Sequence, residues 1–257
     1  MKKLRQFLLS LTIFIGLSLQ SCEKKTEVFI PEEPVSVADD SLKVNFIATS
    51  EKEISYTLKI EKIDSLEFSY QKKISAPKKE IFKKITNIQE AKKLLKGVVE
   101  FDDEGENPAV ETIHFRNGKK YRKVHEHDQY SFVAYYPEED ILLCEGGHST
   151  DISFNLKTGK DTDETGNPDE IVASTKGNFR LNGNYCGQQC FAYFVQQRKN
   201  GDFEKIIDLA AEFDNLIKTD LCVIGDSFWQ NENTLFITED SNFGVNQKYF
   251  KINLVEK

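Results

Sequence analysis

The sequence predicts a mainly β protein made of antiparallel sheets, with one helical insertion near residues 78–96. Two observations support this fold class. Apolar and polar residues alternate along several short runs, as in residues 54–63, where Ile54, Tyr56, Leu58 and Ile60 share one face. Asn-Gly pairs, which favour two-residue hairpin turns, stand between strand-like runs at Asn117-Gly118, Asn182-Gly183 and Asn200-Gly201. Turns of this kind join neighbouring antiparallel strands.

The clearest predicted hairpin joins residues 191–199 to residues 202–209. A two-residue turn at Asn200-Gly201 would pair Lys199 with Asp202, Val195 with Ile206, and Phe194 with Ile207. Opposite charges then meet at the tip of the hairpin and apolar side chains meet inside it, which fixes the register.

The helical insertion has a different period from the rest of the chain. Apolar residues recur there at helical spacings, at Ile81, Ile85, Ile88, Ala91 and Leu95. Ser75 suits an N-cap and Gly97 suits the position after a C-terminus. Thr86 and Gln89 also match a capping box, so the stretch is either one helix or two shorter ones.

Composition indicates a folded, soluble protein of one large or two small domains. The chain has 257 residues, including 19 Phe and 9 Tyr, which excludes disorder along its whole length. Its 34 Lys+Arg against 42 Asp+Glu give a formal net charge of −8. This charge argues against a nucleic-acid partner, because binding to phosphates needs a basic surface.

The first 21 residues form a predicted signal peptide. A basic start at residues 1–5 is followed by an apolar run from Phe7 to Leu19. Thirteen residues of helix rise about 20 Å, which is too short for a bilayer core of about 30 Å. A basic head and a short apolar run therefore indicate export and not a membrane-spanning helix.

The residues Leu19-Gln20-Ser21-Cys22 follow this run. They resemble the lipobox of bacterial lipoproteins, and the resemblance covers residues 1–22 only. It implies cleavage before Cys22 and attachment of a diacylglycerol to the Cys22 thiol. It also implies a lipid anchor in the bacterial cell envelope, facing the periplasm or the cell surface. The alternative is an ordinary signal peptide with a chance cysteine.

The mature chain divides into three parts. Residues 22–41 are polar, contain Pro31 and Pro34, and predict a flexible tether. Residues 42–97 predict an α+β N-terminal part, and residues 22–97 together carry a net charge of +2. Residues 98–257 predict a β-rich acidic domain with a net charge of −13. Such an acidic domain favours basic partners or serves solubility.

A weak internal sequence repeat suggests a more specific fold. An aromatic strand end followed by a glycine turn recurs, and residues 152–160 resemble the outer-strand turn of β-propeller blades. Residues 42–257 would fill roughly five such blades. The paired Gly-His and Trp-Asp marks of WD propellers are absent. We therefore expect curled or stacked antiparallel sheets, with a propeller as the alternative.

Two segments are candidate metal sites. His125 and His127 would share one face of a strand and would offer two imidazoles to zinc, with His114 about 13 Å away at about 3.3 Å per residue. The second segment carries Asp161, Asp163 and Asp169 around Gly166, as in a calcium loop, but it lacks the closing glutamate. In both cases a solvated polar segment is the favoured interpretation, and no cofactor is expected.

The cysteines other than Cys22 are Cys144, Cys186, Cys190 and Cys222. In an exported domain they allow two disulfides. Cys186 and Cys190 flank a turn-like Gly187-Gln188-Gln189, so a bond between them is predicted. The states of Cys144 and Cys222 stay open.

These features predict a membrane-anchored envelope lipoprotein whose non-enzymatic β domain binds a protein or a glycan. No catalytic residue is assigned. One alternative is a metal-dependent hydrolase that uses His125 and His127. Another is an inhibitor or immunity-type protein, for which the acidic domain suits a basic target.

Overall fold

The computed structural model describes residues 55–75, 81–102, 108–123, 129–241 and 246–257. The signal peptide, Cys22, the tether, and His125 with His127 lie outside the described residues. The described helices are α1 (Ser65–Ser75), α2 (Ile88–Leu94), α3 (Thr162–Thr165) and α4 (Leu209–Ile217). None of them is long and apolar enough to cross a lipid bilayer.

The described strands follow one another along most of the chain. They are β1 (Tyr56–Ile63), β2 (Val99–Phe101), β3 (Val110–His114), β4 (Lys120–Arg122), β5 (Ser131–Tyr136), β6 (Ile141–Glu145), β7 (Asp151–Asn155), β8 (Val172–Ala173), β9 (Phe179–Gly187), β10 (Cys190–Lys199), β11 (Asp202–Asp208), β12 (Ile224–Trp229), β13 (Thr234–Ser241) and β14 (Asn246–Glu256). The mainly β fold class is confirmed.

The described strands form four antiparallel sheets. Sheet I contains β2-β3-β4, sheet II β5-β6-β7, sheet III β11-β10-β9-β8, and sheet IV β1-β14-β13-β12. Each sheet is a meander of consecutive strands, and sheet IV is completed by β1 from the other end of the chain. Two of the sheets have three strands where a propeller blade has four, and the described sheets number four instead of about five.

Two apolar cores hold the sheets together. The larger core lies between sheets III and IV and includes Leu181, Val195, Phe213 of α4 and Trp229. The second core packs α2 against sheets I and II. Both cores arise from the period-two alternation of the strands, which sends every second side chain to one face.

The helical insertion predicted near residues 78–96 is shorter than expected, since α2 covers only Ile88–Leu94. Residues 81–87 are not helical, because Ile85 exchanges two backbone hydrogen bonds of 2.9 Å with Tyr135 of β5. The side chain of Asn87 caps α2 by accepting the backbone N–H of Glu90 at 3.0 Å. Ser75, the expected N-cap, is instead the last residue of α1. The alternative of two shorter helices comes closer, although α1 ends before the predicted stretch begins.

The hairpin predicted around Asn200-Gly201 is confirmed, with a change of register. Both turn residues have positive φ, and Lys199 pairs with Asp202 as expected. A bulge after Val195 then places Val195 opposite Ile207 instead of Ile206. The shift brings two buried side chains together in the larger core, so core packing decides the register.

The other two Asn-Gly pairs behave differently from the prediction. Asn182-Gly183 lies inside β9 and makes no turn. A Cβ on Gly183 would approach the Tyr193 ring to 2.7 Å, so close strand packing requires glycine there. At Asn117-Gly118 the turn is longer than two residues, and His114 pairs with Lys120 instead of Tyr121.

The predicted Cys186–Cys190 disulfide is wrong, because the structure joins Cys190 to Cys222. The turn itself forms, with Gln188 and Gln189 in the left-handed region. However, the Cys222 carbonyl accepts the Phe191 N–H at 2.9 Å, which places Cys222 beside Cys190 with their α-carbons 4.6 Å apart. The neighbouring Cys186 thiol contacts the Cys190 carbonyl oxygen at 3.2 Å.

Cys144 is not in a disulfide and lies in the core of sheets I and II. Burial in this apolar environment raises the pKa of its thiol. The thiol is therefore protonated at neutral pH and unreactive.

Replacement of Cys190 by alanine is expected to lower the free energy of unfolding by about 4 kcal/mol, because the bond to Cys222 closes a loop of some thirty residues. Cys186→Ala is the matched control and is expected to change it by less than about 1 kcal/mol. Chemical denaturation measures both variants. A non-reducing peptide map in which Cys186 is linked to Cys190 would contradict this pairing.

Candidate functional site

The two faces of sheet III have opposite chemical character. Phe179 and Leu181 of β9 point into the larger apolar core. The alternate residues Arg180 and Asn182 are also buried, although they are polar. Gln196 of β10 pairs with Arg180 across the strands and is buried beside it. The sequence thus folds a polar layer into the interior, and polar groups buried in this way need hydrogen-bond partners.

Arg180 is the charged centre of this polar layer. Its Nε donates to Gln196 Oε1 at 2.6 Å, and its Nη1 donates to Glu139 Oε2 at 2.7 Å. The Arg180 side chain is 5% exposed and that of Glu139 is 18% exposed. The guanidinium also lies 3.7 Å from the centre of the Phe203 ring. Charge-assisted hydrogen bonds and the aromatic face offset the cost of removing the guanidinium from water.

A cleft of about 260 Å³ opens next to Arg180. One wall is the turn between β5 and β6, which contributes Glu138, Glu139 and Asp140. The opposite wall is the hairpin between β10 and β11, which contributes Arg198, Gly201, Asp202 and Phe203. The end of β7 and helix α3 complete the lining with Asn155, Lys157, Lys160, Glu164 and Thr165. The cleft is therefore polar and carries charges of both signs.

Most of the carboxylates in the cleft have protein partners. Asp140 accepts two hydrogen bonds from Arg116, at 2.7 and 3.1 Å, and one from the Tyr135 hydroxyl at 2.9 Å. The hydrogen bond to Asp140 raises the pKa of Arg116, and burial raises the pKa of Tyr135. Asp202 pairs with Lys157 at 2.5 Å. These contacts fix the walls of the cleft before any ligand enters.

Arg198 stands at the rim of the cleft and differs from Arg180 in its surroundings. It is exposed, and its guanidinium carbon lies 4.8 Å from the centre of the Phe203 ring. Within the part of the chain that the structure describes, no ion pair to Arg198 is found. Phe203 therefore supports two guanidinium groups, one buried and neutralised and one available to solvent.

The predicted calcium ligands are not brought together. Asp161 precedes α3 and Asp163 lies exposed within it. Asp169 pairs with Lys84 at 2.5 Å, and its backbone N–H donates to the side chain of Asn167 at 3.0 Å. Across the described ranges, no group of three or more His, Cys, Asp or Glu side chains is arranged to hold a metal ion.

The histidine site stays a prediction, because His125 and His127 lie outside the described residues. His114 is described, and its Nε2 lies 3.3 Å from Glu100 Oε1. This hydrogen bond lowers the pKa of Glu100.

Trp229 lies in the larger core and donates its ring N–H to the Val172 carbonyl at 2.8 Å, so it offers no exposed surface to a ligand.

Sequence reasoning did not identify the cleft. Its residues come from five separate segments, and no motif links them. One signal was present in retrospect: Arg180 and Asn182 alternate with the apolar Phe179 and Leu181 along β9. Polar residues at every second position of a strand indicate a polar face, but only the packing shows that this face is buried.

Arg180→Met is expected to lower the free energy of unfolding by about 3 kcal/mol, because Glu139 and Gln196 lose a buried partner. Arg198→Met is the matched control and is expected to cost less than about 1 kcal/mol, since the residue is exposed. Urea denaturation of both variants gives the comparison. Equal losses of unfolding free energy would show that the contacts of Arg180 stabilise the fold no more than those of the exposed Arg198.

Comparison with protein-family models, with curated proteins and with solved structures finds no match to this chain.

Proposed function

We propose that the protein is a lipid-anchored envelope protein whose β domain is a non-enzymatic binding module, and that the cleft beside Arg180 binds a glycan that carries a carboxylate. The observation that carries this proposal is the pair of arginines on Phe203. Arg180 is fixed and neutralised at the base of the cleft, whereas Arg198 stands at its rim without an ion pair among the described residues.

The polar lining matches the hydrogen-bonding needs of a sugar. A hydroxyl group donates one hydrogen bond and accepts others, so a sugar ring needs acceptors and donors side by side. The cleft offers the carboxylates of Glu138 and Glu164 as acceptors, and the amide of Asn155 and the ammonium of Lys160 as donors. Arg198 presents a planar fork that binds a carboxylate with two parallel hydrogen bonds. A neutral apolar ligand would form no hydrogen bonds with these groups.

The dimensions of the cleft favour a small unit of a longer chain. Its volume of about 260 Å³ lies just below the range of about 300–1,000 Å³ of sites that enclose drug-sized ligands. One sugar residue is of suitable size, and the neighbouring residues of a glycan would leave the cleft toward solvent.

The state of three of the five carboxylates in the cleft supports binding over catalysis. Glu139, Asp140 and Asp202 are each held by a cationic side chain at 2.5–2.7 Å. A general acid or base must exchange a proton with the substrate, so it needs a carboxylate that can reach the substrate. Carboxylates already engaged by cations serve better as fixed walls of the cleft.

Arg198→Met is expected to weaken glycan binding by at least about tenfold, because a hydrogen bond to a charged group contributes about 1.5–3 kcal/mol. Arg122→Met is the matched control, since Arg122 is also exposed but lies on β4. The full chain, solubilised in detergent, is tested on an array of envelope oligosaccharides with and without uronic or muramic acid, and hits are quantified by calorimetry.

Two outcomes would contradict the glycan proposal. In one, no oligosaccharide binds the wild-type chain. In the other, Arg198→Met and Arg122→Met bind as tightly as the wild type. If acidic and neutral sugars bind equally well, the cleft is still a glycan site, but Arg198 does not recognise a carboxylate there.

Acylation of Cys22 is expected to hold the protein in the membrane fraction, because the lipobox-like residues 19–22 end at this cysteine. Cys22→Ala is expected to release the chain into the soluble fraction or to leave it unprocessed. Mass spectrometry of the mature N-terminus checks the modification directly. An unmodified Cys22 in the wild-type chain would refute the anchor without affecting the cleft.

A further inference from the structure

Three cysteines meet where the turn between β9 and β10 lies beside the connection between α4 and β12. Cys190, the first residue of β10, is bonded to Cys222 of that connection. Cys186 of β9 keeps its thiol, which donates to the Cys190 carbonyl oxygen at 3.2 Å. We call Cys186, Cys190 and Cys222 the sulfur cluster. A thiol that contacts one half of a disulfide has the arrangement from which thiol–disulfide exchange starts.

The register of the hairpin holds Cys186 in this place. Gly187 pairs with Cys190, and Tyr185 pairs with Phe191, so Cys186 is the extra residue of a β-bulge. A bulge redirects the side chain that it carries, and here the thiol contacts the strand opposite. The contact between Cys186 and Cys190 is therefore a consequence of the strand pairing.

A second set of contacts places Cys222 beside the same turn. Its carbonyl oxygen accepts the N–H of Phe191 at 2.9 Å. Two residues further on, the N–H of Ile224 donates to the Tyr193 hydroxyl at 3.1 Å. Burial raises the pKa of Tyr193 to about 12, and the negative charge of a Cys186 thiolate also raises it. Cys186 therefore lies close to the residues that hold the connection as well as to Cys190.

The sulfur cluster is accessible to solvent. Cys186, Cys190 and Cys222 are all half-buried, so water can exchange protons with their sulfur atoms. Cys144 is the contrasting case, because it is fully buried in the core of sheets I and II and its thiol has a raised pKa. The reactive thiol of the described domain is therefore Cys186 and not Cys144.

We propose that the sulfur cluster is a thiol–disulfide exchange site, at which Cys186 replaces Cys222 as the partner of Cys190. The Cys186 thiol loses its proton to solvent, and the thiolate attacks Cys190 Sγ. The Cys190–Cys222 bond breaks as the Cys186–Cys190 bond forms. The electron pair of the broken bond leaves with Cys222 Sγ, which takes up a proton from solvent. One disulfide and one thiol are present before and after, so no oxidant or reductant is consumed.

The exchange changes which segments are covalently linked. The Cys190–Cys222 bond joins β10 to residues 218–223, which contain no helix or strand. A Cys186–Cys190 bond would close only the turn between β9 and β10. The connection would then be held by backbone hydrogen bonds and by the buried side chain of Leu221. The site is thus a switch that loosens one connection of the larger core without a change in the number of disulfides.

Tryptic peptides distinguish the two pairings directly. Residues 181–198 form one peptide that contains Cys186 and Cys190, and residues 219–248 form another that contains Cys222. The original pairing gives the two peptides linked to each other, with Cys186 open to alkylation. The exchanged pairing gives separate peptides, with Cys222 open to alkylation.

The full chain, solubilised in detergent, is incubated at about pH 8.5, where thiols ionise. Samples are quenched with acid and alkylated with N-ethylmaleimide before digestion. Alkylated Cys222 is expected to appear at least about tenfold faster than in Cys186→Ser, because a thiol of the same chain attacks at a high effective concentration. Cys186→Ser is the matched control, since it removes only the attacking sulfur. Chains kept at about pH 6 are expected to retain the Cys190–Cys222 bond, because thiolate is scarce there.

Cys222→Ser tests the product of the exchange. A Cys186–Cys190 bond is expected to form in this variant. Its backbone amides at residues 219–224 are expected to exchange hydrogen at least about tenfold faster than those of Cys186→Ser, which keeps the original bond. Amides of α2, in the second core, are the internal reference. If they also exchange rapidly, the variant has unfolded, and the wild-type time course decides alone.

The proposal is overturned if Cys222 stays linked in the wild type at about pH 8.5, or if Cys186→Ser releases it equally fast. A linkage between Cys186 and Cys222, found by peptide fragmentation, would also overturn it. So would a folded Cys222→Ser variant in which Cys186 and Cys190 both remain thiols. Equal hydrogen exchange at residues 219–224 in the two variants would show that the exchange releases nothing.

Discussion

The structure depends on the neutralisation of one buried cation. Arg180 is buried on the polar face of sheet III, and a lone guanidinium there would cost several kcal/mol. Glu139 from sheet II and Gln196 from the neighbouring strand satisfy it. This requirement sets the position of the β5–β6 turn against sheet III. The cleft is the space that remains between that turn and the β10–β11 hairpin, so the candidate site follows from the same constraint.

A second constraint joins the two ends of the described domain. β1 pairs with β14 from Tyr56–Glu256 to Ile63–Tyr249, and thus completes sheet IV. α1 follows β1 directly and inserts Phe68 beside Phe228 and Phe236 of the same sheet. The inward side of α1 is therefore fixed by the closure of the sheet, and its apolar residues at 66, 70 and 74 are left on the outside.

The sequence alone determined the features that depend on local patterns. The alternation of apolar residues over 54–63 predicted β1, and Asn200-Gly201 predicted the β10–β11 hairpin, because strand period and turn chemistry are properties of neighbouring residues. The tertiary structure decided what depends on residues far apart in the chain. Ile85 pairs with β5 instead of continuing a helix, Cys190 bonds Cys222 instead of Cys186, and Arg180 meets Glu139 in the interior. In each case a contact between residues far apart in the chain forms in place of a local contact. Such distant partners come close only when the sheets pack together.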